Sequence, residues 1–363
     1  MMKKKRWLTI CTLMTMFLII NLVPVSADTL TETAVSAVDL NSKETAQEHT
    51  VNYSKGQKSV VPISIPTPGT FLIDLEGDGE SAYAEITDKD GKMLGSCNLS
   101  SVASDKTVSV GVSAAGTYYL QFSTESSKTL RTAFSVYYAP TVDKELTGGQ
   151  LFYAGEAWDV IPCYTVKVPS TGYITMDFAE SMSLGAGGKI WVCDPIVNNT
   201  IPYDAVELET DKSKGYIGVK KGTYHFNLRS AVSVYGIRAL FTPVKNNGGS
   251  TRSKAQVLKK GTMKTGVSIV DDPSAKEWYK FTLTKAQTVK FSLQKYNNNR
   301  VIAFRFYCEG KKKSFLYKDV RNRRNSTEFY ASKGDTKTKL AAGTYYVEVD
   351  NKGTGYYDLT WMK

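Results

Sequence analysis

The chain has 363 residues, of which 42% are hydrophobic, 22% are charged and 11% are aromatic. This composition excludes a disordered protein, because so many apolar side chains require burial, and the 28 glycines show no collagen period. The net charge of +11 is uneven. Residues 247–363 carry 24 basic against 10 acidic side chains, whereas residues 28–246 carry 18 against 25. A basic C-terminal third suggests an anionic partner.

The N-terminus has the pattern of a secretory signal. A lysine-rich start precedes an apolar segment that begins at Trp7, and small residues ending in Ala27 follow that segment. We therefore predict a signal peptide over residues 1–27 and a secreted, extracellular protein, either free or associated with the cell surface. Because the apolar segment is long enough to span a bilayer, retention as an uncleaved anchor is the alternative. No membrane span is predicted after cleavage.

The rest of the chain is predicted to contain a short disordered segment and three related modules. Residues 28–50 are rich in threonine, alanine and acidic residues without periodicity, which favours disorder. A segment with the sequence Gly-Thr-Tyr recurs at Gly116, Gly222 and Gly343, at a spacing the size of a domain. The predicted modules one, two and three cover residues 51–140, 148–244 and 250–363.

Each module is predicted to be a β-sandwich. Upstream of the Gly-Thr-Tyr segment, residues 65–75 match residues 168–178, with apolar side chains at alternate positions on both sides of a turn. Residues 283–293 keep this apolar rhythm in module three. Many short strands at regular spacing, with almost no helical period, indicate an all-β protein of three tandem sandwiches of jelly-roll or immunoglobulin-like type.

Module three contains the motifs of a known bacterial family. Residues 277–283 read EWYKFTL, residues 340–349 read LAAGTYYVEV, and residues 355–359 read GYYDL. On these motifs the module resembles the bacterial pre-peptidase C-terminal (PPC) domain. Modules one and two share only the Gly-Thr-Tyr strand and the strand–turn–strand unit. The resemblance implies a β-sandwich of secreted bacterial proteins that assists export or binds substrate. It does not imply proteolysis, because no peptidase sequence precedes the module.

A basic segment between residues 311 and 324 is the predicted site for a polyanion. It holds seven basic residues and one acidic residue between two predicted strands. The candidate contacts are Lys311, Lys312, Lys313, Lys318, Arg321, Arg323 and Arg324. We expect an anionic cell-wall or extracellular polysaccharide, or a matrix protein, as partner, and secretion argues against nucleic acid. Alternatively, the lysines protect a sheet edge from pairing with another chain.

Three further sites are predicted from single residues or pairs. Trp278 lies opposite the apolar face of its strand, so it is a candidate for stacking on sugar rings, as is Trp191. Cys163 and Cys193 fall in one module and form a disulfide candidate, with buried free thiols as the alternative. The resemblance to PPC-related collagen-binding modules implies calcium at Asp271 and Asp272, although few oxygen ligands lie nearby. No other cofactor is predicted.

Catalytic motifs are missing from the sequence. The two histidines, His49 and His225, fall in the predicted disordered segment and in a repeated strand, and no HExxH, GxSxG or phosphate-binding loop occurs. Asp74 and Asp177 occupy equivalent positions in modules one and two. We therefore predict a non-enzymatic binding or adhesion protein that uses chiefly module three. The alternatives are a carboxylate-based hydrolase with a site between modules, or an accessory subunit of another secreted protein.

Overall fold

The computed structural model describes residues 29–363 except 78–80, 100–105, 158–159, 182–188, 194–205, 210–213, 231–233, 246–247, 270–274, 297–300, 322–325 and 333–335. The predicted signal peptide, residues 1–27, lies outside the described residues. Among the residues described, no helix has the length and hydropathy needed to cross a membrane. The chain is nearly all β-strand in several separate sheets, which confirms the predicted fold class.

Module one is a sandwich of two sheets. Its strands are β1 (Thr29–Thr31), β2 (Val35–Ser36), β3 (Val38–Asp39), β4 (His49–Tyr53), β5 (Lys58–Ile65), β6 (Gly69–Gly77), β7 (Ala82–Thr87), β8 (Met93–Asn98), β9 (Lys106–Val112), β10 (Gly116–Thr124) and β11 (Leu130–Pro140). One sheet has the order β1-β5-β10-β7-β8, and β2 also pairs with β5. The other has the order β3-β11-β6-β9, and β4 also pairs with β11. Alternate side chains such as Ile63 and Phe71 fill the core between the sheets.

Module two repeats this arrangement. Its strands are β12 (Lys144–Glu145), β13 (Phe152–Gly155), β14 (Cys163–Val168), β15 (Gly172–Ser181), β16 (Lys189–Cys193), β17 (Val206–Glu209), β18 (Lys214–Val219), β19 (Gly222–Ser230) and β20 (Val234–Pro243). The sheets have the orders β12-β14-β19-β16-β17 and β13-β20-β15-β18. Tyr164, Ile174 and Phe226 lie in its separate core.

Module three has the same strand order as module two. A short 3-10 helix, Arg252–Lys254, precedes its strands. These are β21 (Gln256–Val257), β22 (Met263–Ser268), β23 (Glu277–Leu283), β24 (Lys290–Tyr296), β25 (Ile302–Cys308), β26 (Leu316–Val320), β27 (Ser326–Tyr330), β28 (Gly343–Asn351) and β29 (Gly355–Trp361). The sheets have the orders β21-β23-β28-β25-β26 and β22-β29-β24-β27. Phe281, Phe291 and Phe306 are fully buried between them.

The repeated sequence segments occupy equivalent places in the three sandwiches. The Gly-Thr-Tyr segments form β10, β19 and β28, each the middle strand of its five-membered sheet order. The strand–turn–strand units form β5–β6, β14–β15 and β23–β24, whose two strands lie in opposite sheets. Each unit therefore connects the two layers, which explains why both of its strands carry apolar residues at alternate positions.

Part of the segment 28–50, which is predicted to be disordered, forms short strands that pair with module one. Strand β1 pairs in parallel with Lys58–Val60, and β2 pairs in parallel with Ile63 and Ser64. Val35 is buried in the core of module one. Strands of two or three residues are too short to show a period of two, so the sequence carries no signal for them.

Modules two and three meet at a cluster of four tyrosines, which we call the tyrosine cluster. Tyr356 stacks on Tyr173 of module two, with ring centroids 3.8 Å apart, and on Tyr296 at 4.3 Å. Tyr216 meets Tyr356 edge-on at 5.2 Å. Beside the cluster, the Gly218 N–H donates to the Thr354 hydroxyl at 2.9 Å. A Cβ atom at Gly218 would overlap the Ser268 carbonyl oxygen, so the two backbones approach more closely than a side chain permits.

The linker between modules two and three is fixed by Glu277 and its neighbour. Gly249 exchanges two backbone hydrogen bonds with Trp278, at 2.8 and 2.9 Å. The Glu277 carboxylate accepts from the Tyr357 hydroxyl at 2.5 Å, the Val267 N–H at 3.2 Å and the Gly248 N–H. Burial raises the pKa of Glu277 to about 7, although these hydrogen bonds act in the opposite direction.

Candidate binding surface on module three

The predicted basic segment forms a tight hairpin between β25 and β26. The hairpin is closed by hydrogen bonds from the Lys311 N–H to the Cys308 carbonyl at 3.1 Å and from the Phe315 N–H to the Phe306 carbonyl at 2.9 Å. Lys311, Lys312 and Lys313 are exposed at its tip. Within the described part of the chain none of the three has a carboxylate partner. Their charges are therefore open to solvent and to an anionic ligand.

Arg252 holds this hairpin from the side. Its guanidinium donates to the carbonyl oxygens of Cys308 and Lys311, both at 2.7 Å. The same group lies over the rings of Tyr346 and Tyr307, 4.4 and 5.1 Å from their centroids. The planar guanidinium can stack and donate at once, which a lysine ammonium cannot do. The tip lysines are thus carried on a backbone that is already ordered before a ligand arrives.

Replacing Arg252 by alanine is expected to loosen the hairpin without unfolding the module. The change removes two charge-assisted hydrogen bonds, so the hairpin amides should open more easily by about 1.5–3 kcal/mol. Hydrogen exchange of the Lys311 and Phe315 amides measures this opening. Protection at the buried amide of Phe304 serves as the control, and unchanged exchange at the hairpin would contradict the bracing role. The lysine variant should behave like the alanine variant.

The other predicted basic contacts do not join the tip. Lys318 pairs across the sheet with Phe304, whose side chain is buried, so it lies on the core side of edge strand β26. Arg321 donates to the Asp319 carboxylate at 2.9 Å. Arg323 and Arg324 lie outside the described residues. The structure therefore reduces the described candidate polyanion contacts to the three tip lysines and a partly neutralised Arg321.

The side of this sheet that faces away from the core, here called the outer face, carries a cross-strand row of four residues. Trp278 pairs with Glu348, Glu348 with Arg305, and Arg305 with Tyr317. The Trp278 ring also lies 5.4 Å from the ring of Tyr307, between centroids. Strand spacing places the two ends of the row about 14 Å apart.

An ion network occupies the middle of the outer face. Glu348 is buried and accepts from Arg305 at 2.7 Å and from the Tyr307 hydroxyl at 2.6 Å, with Lys276 at 3.1 Å. Burial acts to raise the pKa of Glu348, but the bonds from Tyr307, Lys276 and Arg305 outweigh it and lower the pKa. Glu348 therefore stays ionised and fixes Arg305 in place.

Tyr317 is the exposed aromatic end of the row. Its residue surface is 53% exposed, and the Arg305 guanidinium lies 5.3 Å from the ring centroid on one side. The nearby Tyr317 hydroxyl and the Arg321 guanidinium lower the pKa of the Asp319 carboxyl. One side of the ring is therefore supported by protein while much of the residue remains open. By contrast, Trp278 is only half-exposed.

Two other predicted sites are not described in full. Trp191 lies in β16 opposite Arg229, but its side chain is outside the described residues. Asp271 and Asp272, the calcium candidates, also fall outside them. In the described portion of the chain no group of three or more histidine, cysteine or acidic side chains is arranged to hold a metal ion. Calcium binding at these residues stays a prediction.

The Cys163–Cys193 disulfide is not present. Cys163 is a free thiol, and both cysteines pair with Asn227, from opposite sides of β19. Strands two apart in a sheet are separated by about 9–10 Å, whereas a disulfide requires Cα atoms within about 7 Å. Instead, the Cys163 sulfur lies 3.8 Å from Nδ1 of His225. The sequence analysis did not predict this contact. A prediction that the Gly-Thr-Tyr strand pairs with β14 in this register would have placed the two side chains close together.

No family model matches the chain, and no curated protein matches it. The resemblance of residues 250–363 to the PPC domain therefore stays a prediction that rests on its sequence motifs.

Comparison with solved structures finds only remote similarity. The Aeromonas hydrophila protein PliG, a periplasmic inhibitor of g-type lysozyme, is 11% identical over 30% of this chain and 98% of its own, with a TM-score of 0.23. The CUB1-EGF-CUB2 domain of human MASP-1/3 is 9% identical over 53% of this chain and 99% of its own, with a TM-score of 0.18.

A third solved structure covers more of this chain. The M60 catalytic domain with the CBM51-1 and CBM51-2 domains of Clostridium perfringens ZmpB is 10% identical over 85% of this chain, with a TM-score of 0.20. The match spans 33% of that chain. TM-scores this low carry no argument about function, so the functional case depends on the surface of module three.

Proposed function

We propose that the protein is a secreted, non-enzymatic binding protein that attaches to an anionic extracellular or cell-wall polymer through module three. The observation that carries the proposal is the braced hairpin tip, where Lys311, Lys312 and Lys313 stand exposed without carboxylate partners in the described structure. Clustered cations on a rigid loop attract a polyanion at little entropic cost, since the loop is already ordered. The excess of basic residues in residues 247–363 adds long-range attraction.

If the protein were an enzyme, the contact between Cys163 and His225 would be one candidate for a catalytic pair. A nucleophilic cysteine needs a lowered thiol pKa. Here burial and the Asp143 carboxylate raise the pKa of Cys163. Asp74, the other candidate, accepts a hydrogen bond from Thr107 at 2.6 Å on the module one sheet. Neither arrangement favours catalysis over binding. An accessory subunit would be recognised by co-purification with a protein partner.

Neutralising the hairpin tip is expected to abolish most polyanion binding. The triple change Lys311→Gln, Lys312→Gln and Lys313→Gln should weaken binding to an anionic polymer by at least about tenfold at low salt, and the wild-type binding should itself fall as salt rises. Sedimentation with purified cell walls and with immobilised polygalacturonate measures both effects.

A charge-matched variant controls for the change in net charge. Lys43, Lys220 and Lys221 are exposed lysines of modules one and two, and their replacement by glutamine removes the same three charges. This control should bind like the wild type. Equal loss in both variants would show that net charge alone governs binding, and no loss in the tip variant would remove the hairpin as the site.

A further inference from the structure

We propose that the ligand of module three is an acidic polysaccharide, whose sugar rings stack on the Tyr317 end of the outer face while its carboxylates meet the hairpin lysines. This inference rests on the proposed function and specifies its ligand class. It rests also on a separate observation, namely the exposed aromatic ring beside the basic tip.

The aromatic surface and the cations belong to one short stretch of chain. Tyr317 follows the tip lysine Lys313 by four residues and lies on the strand that leaves the hairpin. Its ring is supported on one side by the Arg305 guanidinium, 5.3 Å from the ring centroid. A ring held in this way loses little conformational freedom when a ligand stacks on it, so the contact is preorganised.

The outer face combines aromatic rings with polar side chains, a combination that suits a sugar polymer better than it suits a polyanion without sugar rings. A pyranose ring presents C–H groups on its faces and hydroxyl groups at its rim. The C–H groups suit the face of an aromatic ring, and the hydroxyls suit nearby polar side chains. The row from Tyr317 to Trp278 offers a ring at each end and the ionised pair of Arg305 and Glu348 between them. A polymer that crosses the strands would meet Tyr317, Arg305 and Trp278 in turn, while Glu348 stays buried.

The charge of the ligand follows from where the uncompensated cations lie. Arg305 is already paired with Glu348, and Arg321 with Asp319, so these two guanidinium groups add little net attraction. The tip lysines supply the unpaired positive charge next to Tyr317. Charge complementarity therefore requires an anionic group on the same polymer as the sugar rings. A neutral polysaccharide would satisfy only the aromatic part, and a polyphosphate only the lysines.

The test compares three probes, which are polygalacturonate, neutral dextran and inorganic polyphosphate. We expect the wild-type protein to bind polygalacturonate best and dextran least. Tyr317→Ser should weaken polygalacturonate binding by about five- to tenfold and leave polyphosphate binding unchanged. Tyr317→Phe keeps the ring and should stay within about twofold of wild type. Because Tyr317 is exposed, its replacement should leave the thermal unfolding temperature nearly unchanged, which verifies folding.

The outcomes separate this inference from the proposed function. If Tyr317→Ser binds polygalacturonate as tightly as wild type while the triple lysine variant does not, the sugar-stacking inference is overturned and polyanion binding stands. If the wild-type protein prefers polyphosphate to polygalacturonate, the ligand class is wrong in the same way. If the wild type binds none of the probes, both the inference and the proposed function fail.

Discussion

Replacing Glu277 by glutamine is expected to stabilise the protein at neutral and alkaline pH. In the folded protein the pKa of Glu277 is raised to about 7, whereas an unfolded glutamate ionises near its ordinary value of 4.5. Stability linked to this group is therefore complete below about pH 4.5 and is lost as the pH rises through 7. Glutamine cannot ionise, so the gain in stability of the variant over wild type should grow across this range to a maximum of about 3 kcal/mol and stay constant above it.

Glutamine also fits the hydrogen bonds around Glu277. Its carbonyl oxygen can accept from the Val267 N–H, and its amide can donate to the Tyr357 hydroxyl oxygen. Urea unfolding at pH values from 4 to 9 measures the difference between variant and wild type. Alanine, in contrast, should be less stable than glutamine by more than about 2 kcal/mol at every pH, because neither variant ionises and alanine leaves the linker donors without a partner. A glutamine gain that does not vary with pH would contradict the ionisation argument.

Replacing Gly218 by alanine is expected to separate modules two and three. The new methyl group would overlap the Ser268 carbonyl oxygen and crowd that of Gly355, and backbone cannot move aside as a flexible side chain can. Such overlap costs about 1–3 kcal/mol. The strain is relieved when modules two and three separate, and this separation exposes the tyrosine cluster. Protease cleavage within residues 244–250 should accelerate by about tenfold, since cleavage follows the population of open molecules.

Gly222→Ala provides the control for this variant. It lies at the start of the next strand, where an added Cβ would make ordinary contacts with the Tyr224 ring at 3.7 Å and the Lys220 carbonyl oxygen at 4.0 Å. It should leave both the protease sensitivity and the radius of gyration measured by X-ray scattering unchanged. Gly218→Ala should increase that radius while each sandwich stays folded by circular dichroism. If both variants had the same protease sensitivity and radius of gyration, the close contact between the modules would not require glycine at position 218.

The sequence predicted the architecture because repeated β-strands carry a strong local signal. The Gly-Thr-Tyr segments have several alternating apolar residues, and each occupies the same middle position in its sheet. The sequence also allowed the orientation of Lys318 to be predicted. Alternate residues of a strand face the same side, so Lys318 shares a side with the buried Leu316 and Val320. Grouping it with the tip lysines ignored that alternation.

The candidate binding surface could not be derived in the same way. Arg252 reaches the Cys308 and Lys311 carbonyls across 56 and 59 residues of sequence, and a contact of that kind has no local pattern. The environment of Glu277 depends on the path of the linker, which brings Gly248 back onto β23. For Cys163 and Cys193, in contrast, the sequence analysis predicted a contact that the structure does not contain. Membership of one module suggested proximity, but the register places a whole strand between the two residues.

Under the proposed function, the placement of Lys318 has a consequence for copies that bind one polymer. Many copies bound along one chain reach a high local concentration, and an open strand edge such as β26 then becomes a template for fibre growth. A second chain that extended this sheet would have to bury the Lys318 ammonium further, because Lys318 lies on the core side of the strand. Desolvating that charge is costly, so Lys318 disfavours the addition of a second chain at this edge.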